Sequence, residues 1–174
     1  SKCDYERIDI IPALGHNYQI VEEKKAEPIV FETIKESKVE YKFTEYKEYE
    51  PKNMGTSEDF HKDGAQKKIV SILEKTIEKE APISQKLLFK RVLSAYGMTR
   101  GGSKVNEAIT SALGSLPVMV TSSTYNTFYW KQGQMPGEYT DFRVPAEDGE
   151  KRSFEDIAPQ EISNCIEFLL KAQY

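Results

Sequence analysis

The spacing of apolar residues over 63–133 constrains the fold most strongly, because it changes once from a helical to an alternating period. Three successive stretches carry apolar residues three and four positions apart, which predicts amphipathic helices: Ile69, Ile72, Leu73 and Ile77; Leu87, Leu88, Val92 and Ala95; and Val105, Ala108, Ile109, Ala112, Leu113 and Leu116. After Pro117 the sequence reads VMVTSS, TYNT and FYWKQG, which predicts a β-hairpin. Three short helices followed by a hairpin is the order of a winged helix-turn-helix. We therefore predict an α+β protein with a winged-helix core at 63–133.

The residues at the predicted helix ends support these boundaries. Ser84 is a favourable N-cap for the second helix, and Gly97 stands where a left-handed residue often ends a helix. Thr99 or Ser103 is expected to cap the third helix. Gly101 and Gly102 leave the start of that helix free of side chains, which favours anion binding by its backbone amides.

The same glycines raise the alternative of a nucleotide site, but the residue order disfavours it. A P-loop reads G-x-x-x-x-G-K-[ST], in which the lysine reaches the phosphates and the hydroxyl binds Mg²⁺. Gly97 and Gly102 have the required spacing, yet Ser103 comes before Lys104, and Val105 follows the lysine. We expect no nucleotide and no other cofactor.

Two flanking segments complete the predicted organisation. Residues 1–62 contain two β-prone runs, 29–34 and 39–43, which predict an N-terminal β-hairpin followed by a tyrosine-rich extended linker. Residues 134–174 are predicted to form a loop and then a C-terminal helix that runs on from Pro159.

The formal net charge of -4 conceals a division of charge along the chain. Residues 1–63 carry 10 basic and 15 acidic side chains, residues 64–133 carry 10 and 4, and residues 134–174 carry 4 and 9. A basic central segment between acidic flanks is expected of a nucleic-acid-binding module with neighbours that do not touch the nucleic acid. Lysines on solvated helix faces explain the same excess equally well.

Composition disfavours several other classes of function. Cys3 and Cys165 lie near opposite ends of the chain, which fits a reduced, cytoplasmic protein without disulfides. His16 and His61 have no Cys or carboxylate partners at ligand spacing, so no metal site is expected. The apolar runs are far too short to cross a bilayer.

An enzymatic activity of this chain is not expected either. The segment SEDFHKD at 57–63 contains Ser, His and Asp, but seven consecutive linker residues cannot converge as an oriented nucleophile, base and orienting group. The acidic run PAEDGEKRSFED is interpreted as a solvated turn before a helix.

Four motifs, in order, resemble a known family. They are YGMTRGGSKVNEAI, a hairpin ending TFYW, then FRVP, and finally RSFEDIAPQEISNCI. Together with the lead-in VEYKFTEY, they resemble a winged-helix-like domain of unknown function near the carboxyl end of large bacterial superfamily I helicases. The matching positions are Gly97, Met98, Arg100, Gly102 and Ser103; Phe128 and Trp130; and Ile157, Pro159, Glu161 and Ile162.

The resemblance covers about residues 39–174 and implies an accessory role. Similar family members carry a helicase motor and a Vsr-like endonuclease segment upstream, and neither chemistry is present on this chain. DNA and the other domains of a parent helicase are therefore the expected partners. The apolar residues Phe168, Leu169 and Leu170 near the C-terminus make dimerisation an alternative.

The leading hypothesis is non-specific binding of duplex or forked DNA through the third helix and the hairpin wing. DNA phosphates would contact Arg100, Gly101, Gly102, Ser103 and Lys104 at the start of the third helix, and Lys86, Lys90 and Arg91 of the second helix would add contacts with the DNA backbone. Thr110 and Ser111 would approach base edges, and residues 122–126 of the wing would approach the DNA backbone or minor groove. Glu107 stands on the same face and argues against sequence-specific readout. The alternative is a protein-docking or structural module of the parent helicase without nucleic-acid contact.

The aromatic residues of the hairpin permit two interpretations. Because side chains alternate along a strand, Phe128 and Trp130 should both point inward and leave Tyr129 outside. Stacking of Trp130 or Tyr129 on an unpaired base is the alternative.

Overall fold

The computed structural model describes residues 42–147, 149 and 151–172. Its elements are the helices α1 (Ala65–Glu80), α2 (Gln85–Ala95), α3 (Ser103–Leu113) and α4 (Pro159–Ala172), and the strands β1 (Lys42–Tyr46), β2 (Ile83–Ser84), β3 (Met119–Ser122), β4 (Thr127–Trp130) and β5 (Asp141–Pro145). Short 3-10 turns occur at Asp59–His61, Pro136–Glu138 and Phe154–Asp156. The predicted hairpin over 29–34 and 39–43 lies outside the described residues except for Lys42 and Phe43. No described helix is long and apolar enough to span a membrane.

Helices α1, α2 and α3 form where the apolar spacing predicts them, and each buries its predicted stripe in one common core. Ile72 on α1, Leu88 on α2 and Ile109 on α3 are at most 1% exposed. Burial of a large aliphatic side chain contributes roughly 1.5–3 kcal/mol. The three stripes together therefore stabilise the helical part of the fold.

The ends of α2 match the prediction, and the start of α3 does not. Ser84 caps α2 by accepting a 3.2 Å hydrogen bond from the amide of Leu87. Gly97 adopts a φ of 64°, and the next amide, that of Met98, donates to the carbonyl of Leu93 at 2.9 Å. The predicted cap of α3 by Thr99 or Ser103 is wrong, because the N-cap is Gly102 and no side chain closes the helix.

A three-stranded antiparallel sheet has the order β2-β4-β3. The central strand β4 pairs Tyr129 with Ile83 of β2 and with Val120 of β3. A separate two-stranded sheet pairs β1 with β5 in parallel, with Phe43 opposite Phe142. The sequence predicted no partner for β1 in the C-terminal segment, and this pairing joins the lead-in strand to residues far along the chain.

The C-terminal segment covers one face of the three-stranded sheet. Phe128 and Trp130 are fully buried, as predicted, but they pack with Ala158 and Tyr139 rather than with the three-helix core. The Trp130 and Tyr139 rings meet edge to face at 5.2 Å. Tyr129 contacts the helical core on the other face, so the expectation that it lies outside is wrong. Strand β4 is therefore packed on both faces, while β3 remains largely exposed.

Candidate nucleic-acid interface

The outer face of α3 is polar and exposed. Val105, Ile109, Ala112 and Leu113 are buried, while Ser103, Lys104, Glu107, Thr110 and Ser111 face solvent. The Thr110 hydroxyl donates a 2.8 Å hydrogen bond to the carbonyl of Asn106 one turn earlier, so its proton is already engaged. Ser111 keeps an exposed side chain on this face.

The two glycines before α3 have different roles. A Cβ added to Gly101 would lie 2.7 Å from Oδ1 of the exposed Asn106 side chain and 3.2 Å from Val105, so a side chain here would require these neighbours to shift. A Cβ on Gly102 would meet nothing within 4 Å. The N-terminus of α3 is thus open to solvent at Gly102, with its first amides uncapped by any side chain.

Arg100 and Lys104 flank this N-terminus and are both exposed. Neither side chain has a hydrogen bond or ion pair with another residue in the part of the chain that the structure describes. Among the described arginines, Arg91, Arg143 and Arg152 are instead in close ion pairs with glutamates. The positive charge beside the start of α3 is therefore available to an anionic ligand.

The three predicted basic residues of α2 are placed less favourably. Lys86 is exposed, and its Nζ lies 3.4 Å from the buried carboxylate of Asp156. Lys90 is exposed and borders a groove that also contains Glu48 and Glu50. Arg91 is only 5% exposed. These residues are partly or wholly neutralised by the acidic segments that pack around them.

Arg91 belongs to a buried network centred on Glu80. Its Nε donates to Glu80 at 2.8 Å, and Nη2 lies 3.0 Å from Glu48. The Tyr46 hydroxyl donates to the same carboxylate, and the backbone amide of Tyr49 does so at 2.8 Å. Burial and the hydrogen bond to Glu80 raise the pKa of Tyr46 above its ordinary value. Because the Arg91 guanidinium is engaged here, we leave it out of the candidate interface.

A second buried network joins β5 to α4. The carboxylate of Glu161 pairs with Arg143, and it accepts a 2.8 Å hydrogen bond from Nη2 of Arg152. Arg143 also donates to the carbonyls of Glu80 and Pro82, at 2.6 and 2.7 Å. Burial acts to raise the pKa of Glu161, but the two guanidiniums outweigh it and leave the pKa below its ordinary value.

The two networks meet at the ring of Tyr46. The guanidinium carbon of Arg152 lies 4.3 Å from its centroid, and that of Arg143 lies 5.4 Å away. The lead-in strand, α1, α2, β5 and α4 are thus joined through charged side chains. Glu161 and Arg143 stand out in the sequence only as members of motifs, and Glu80 not at all, since an isolated charge gives no signal of burial.

The turn of the β3–β4 hairpin is hydrogen-bonded to the C-terminal segment of the chain. Ser123 closes the turn by accepting the amide of Asn126 at 3.1 Å. The Asn126 side chain donates to the carbonyl of Glu155 and to the carboxylate of Asp156, both at 3.3 Å. Tyr125 remains 72% exposed at the tip. Of the predicted wing contacts, Asn126 is therefore engaged within the protein, while Ser122 and Thr124 stay exposed.

The described residues form a mixed α/β fold of four helices and two small sheets. Residues 58–107 match the family model described as "Protein of unknown function (DUF3320)". This part contains α1, β2, α2 and the first turn of α3, including Arg100 and Lys104. The match is consistent with the resemblance to a domain of unknown function. Neither a curated protein nor a solved structure matches the chain.

Proposed function

We propose that this chain is a non-catalytic accessory domain that binds DNA non-specifically, with α1 to β4 forming a winged helix-turn-helix. The order of elements, α1-β2-α2-α3-β3-β4, supports this reading of the fold. A short strand between the first two helices joins the hairpin in the sheet order β2-β4-β3, an arrangement that is compatible with this fold. Helix α3 is then the helix that approaches the nucleic acid.

The pair Arg100 and Lys104 carries the proposal. Both are exposed and both flank the uncapped N-terminus of α3, where the helix dipole adds to their attraction for a phosphate. In the described helical core the other arginine, Arg91, is buried, and the exposed lysines of α1, such as Lys67 and Lys75, do not flank the uncapped N-terminus of α3. A phosphate group of the backbone is the ligand that suits these groups.

Binding through this face is proposed to position DNA rather than to read its sequence. Glu107 is exposed on the same helix and repels phosphate, and Thr110 already uses its hydroxyl proton within α3. Contacts of Arg, Lys and backbone amides with phosphate carry no direct sequence information. We extend the proposal to an accessory role in a cytoplasmic bacterial helicase of the family that the motifs resemble.

Fluorescence anisotropy with labelled duplex, forked and single-stranded DNA tests the proposal. The affinity should fall with salt by about 0.9 log units per log unit of salt for each phosphate contacted, and Arg100→Glu/Lys104→Glu should abolish it. The matched control is Lys67→Glu/Lys75→Glu, which makes the same change of charge on the exposed side of α1. Equal losses in both variants, or no binding at low salt by the folded wild type, would contradict the proposal.

A further inference from the structure

A second surface, which shares no residue with the outer face of α3, is apolar. Helix α4 packs on β5 through Asn164, whose side chain donates to the carbonyls of Tyr139 and Asp141, and on β1 through Phe168, whose ring centroid lies 6.0 Å from that of Phe43. A different side of α4 carries Ile162, Ile166, Leu169 and Leu170. Ile166, Leu169 and Leu170 are each more than half exposed. Ile162, Ile166, Leu169 and Leu170 follow one another at intervals of four, three and one residues, so they form a stripe along the helix.

This stripe continues into a groove at the N-terminal end of α4. The groove has a volume of about 320 Å³ and lies between the β3–β4 turn and the Phe154–Asp156 turn. Its rim carries Tyr125 and Phe154, which are 72% and 65% exposed. Ile162 lines the groove and also belongs to the stripe. We refer to the continuous patch as the α4 apolar surface, formed by Tyr125, Phe154, Ile162, Ile166, Leu169 and Leu170.

The charges beside this surface are mainly acidic. Glu155 lines the groove, and Glu167 lies on the exposed side of α4 next to the stripe, with Lys171 one turn further on. A partner that covers the patch therefore gains most if its own apolar residues are bordered by basic ones.

From the stripe, the groove and these charges, we infer that the α4 apolar surface docks an amphipathic helix of a partner protein with lysine or arginine beside its apolar face. Helices that bind in this way insert side chains spaced three and four residues apart into an apolar groove. Large contiguous apolar patches on a protein surface commonly mark interaction sites. Tyr125 and Phe154 provide the aromatic contacts that often dominate such interfaces.

Two synthetic amphipathic helical peptides provide the probe. They share one leucine face and carry lysine or glutamate on the polar face, and binding is measured by isothermal titration with the full chain. The lysine peptide should bind more tightly than the glutamate peptide. Ile166→Gln/Leu169→Gln should weaken it by about tenfold or more, because these side chains supply apolar contact. Val120→Gln, which removes an equally exposed apolar side chain from β3, is the matched control.

Charge reversal tests the stated chemistry of the partner. In Glu155→Lys/Glu167→Lys the preference should invert, with a change of roughly fivefold for each exposed ion pair that is replaced. Circular dichroism and thermal unfolding establish that each variant is folded. DNA binding by Ile166→Gln/Leu169→Gln should equal that of the wild type, so this inference and the proposed DNA binding fail or succeed separately.

Three outcomes would overturn the inference. The first is equal affinity for both peptides, and the second is equal loss in the Val120→Gln control. The third is concentration-dependent dimerisation of the wild type, detected by light scattering and abolished by Ile166→Gln/Leu169→Gln. That last result would assign the surface to a second copy of this chain.

Discussion

The hydroxyl of Ser84 donates a 2.7 Å hydrogen bond to the carboxylate of Asp156, 72 residues away in sequence, while it accepts the amide of Leu87. Asp156 also accepts from Ser153 at 2.6 Å and from Asn126 at 3.3 Å. One buried carboxylate thus holds the N-terminus of α2, the β3–β4 turn and the turn before α4. The C-terminal segment is joined to the helical core by polar contacts as well as by apolar packing.

Replacing Asp156 by Ala should destabilise the fold by roughly 2–4 kcal/mol, because several buried donors lose their acceptor at once. Urea unfolding followed by far-ultraviolet circular dichroism measures the change. Glu155→Ala, at the exposed neighbouring position, serves as the control and should have little effect. A loss no larger than that of the control would show that the contacts of Asp156 contribute nothing.

The buried acids also predict how stability depends on pH. The pKa of Glu161 and that of Asp156 lie below their ordinary values in the folded chain, since hydrogen bonds and positive charge outweigh the effect of burial. Their contribution is fully present above the unfolded pKa of about 4 and is lost as the pH falls through the lowered folded values.

The melting temperature should therefore fall as the pH drops below about 4, because the folded carboxylates take up protons only at a lower pH than the unfolded ones. Differential scanning calorimetry across this range makes the measurement. Glu161→Gln should be less stable than the wild type at pH 7 and should show a shallower dependence on pH. A parallel dependence in the two proteins would contradict the role given to Glu161.

Removing the Arg91 side chain should lower the free energy of unfolding. Arg91→Ala leaves Glu80 as a buried charge without its ion-pair partner, which typically costs about 3–5 kcal/mol. Lys90→Ala, at the adjacent exposed position, should cost less than about 1 kcal/mol. Chemical unfolding of both variants gives the comparison, and similar values would mean that the Arg91–Glu80 pair is not needed for stability.

Trp130 provides a test of the packing between the hairpin and the C-terminal segment. Trp130→Ala should destabilise the protein by roughly 3–5 kcal/mol, because it leaves a large cavity against Tyr139 and Ala158. Trp130→Phe should cost less, since it preserves part of the contact. Unchanged stability together with lost binding of single-stranded DNA would instead favour base stacking by this residue.

The helices and the hairpin were predictable because their signals are local. Apolar residues such as Ile72 and Leu88 repeat at helical spacing. Ser84 starts a helix because its hydroxyl accepts a backbone amide, and Gly97 ends one because glycine readily adopts a positive φ. The wrong cap for α3 has the same origin, since Ser103 is a good N-cap by type but lies one position inside the helix.

The buried ion pairs were not predictable, because each depends on a partner far along the chain. Arg91 has the sequence neighbours of a surface residue, and only the approach of Glu80 and the lead-in strand makes it a buried one. The pairing of β1 with β5 is likewise a contact across about a hundred residues. For the candidate interface, periodicity placed Arg100 on the face opposite the apolar stripe and Lys104 at its border, and both are exposed, whereas the engagement of Asn126 needed tertiary contacts.

Trp130 is the single tryptophan of the chain, and the residues that cover it come from the C-terminal segment. Its indole group donates to Thr121 at 2.9 Å, within the hairpin, while the Tyr139 ring packs edge to face against it. Detachment of that segment would expose the indole to water. The protein thus contains its own optical reporter: a red shift of its emission at a lower denaturant concentration than the loss of the far-ultraviolet circular dichroism of the helices would show that the C-terminal segment is released before global unfolding.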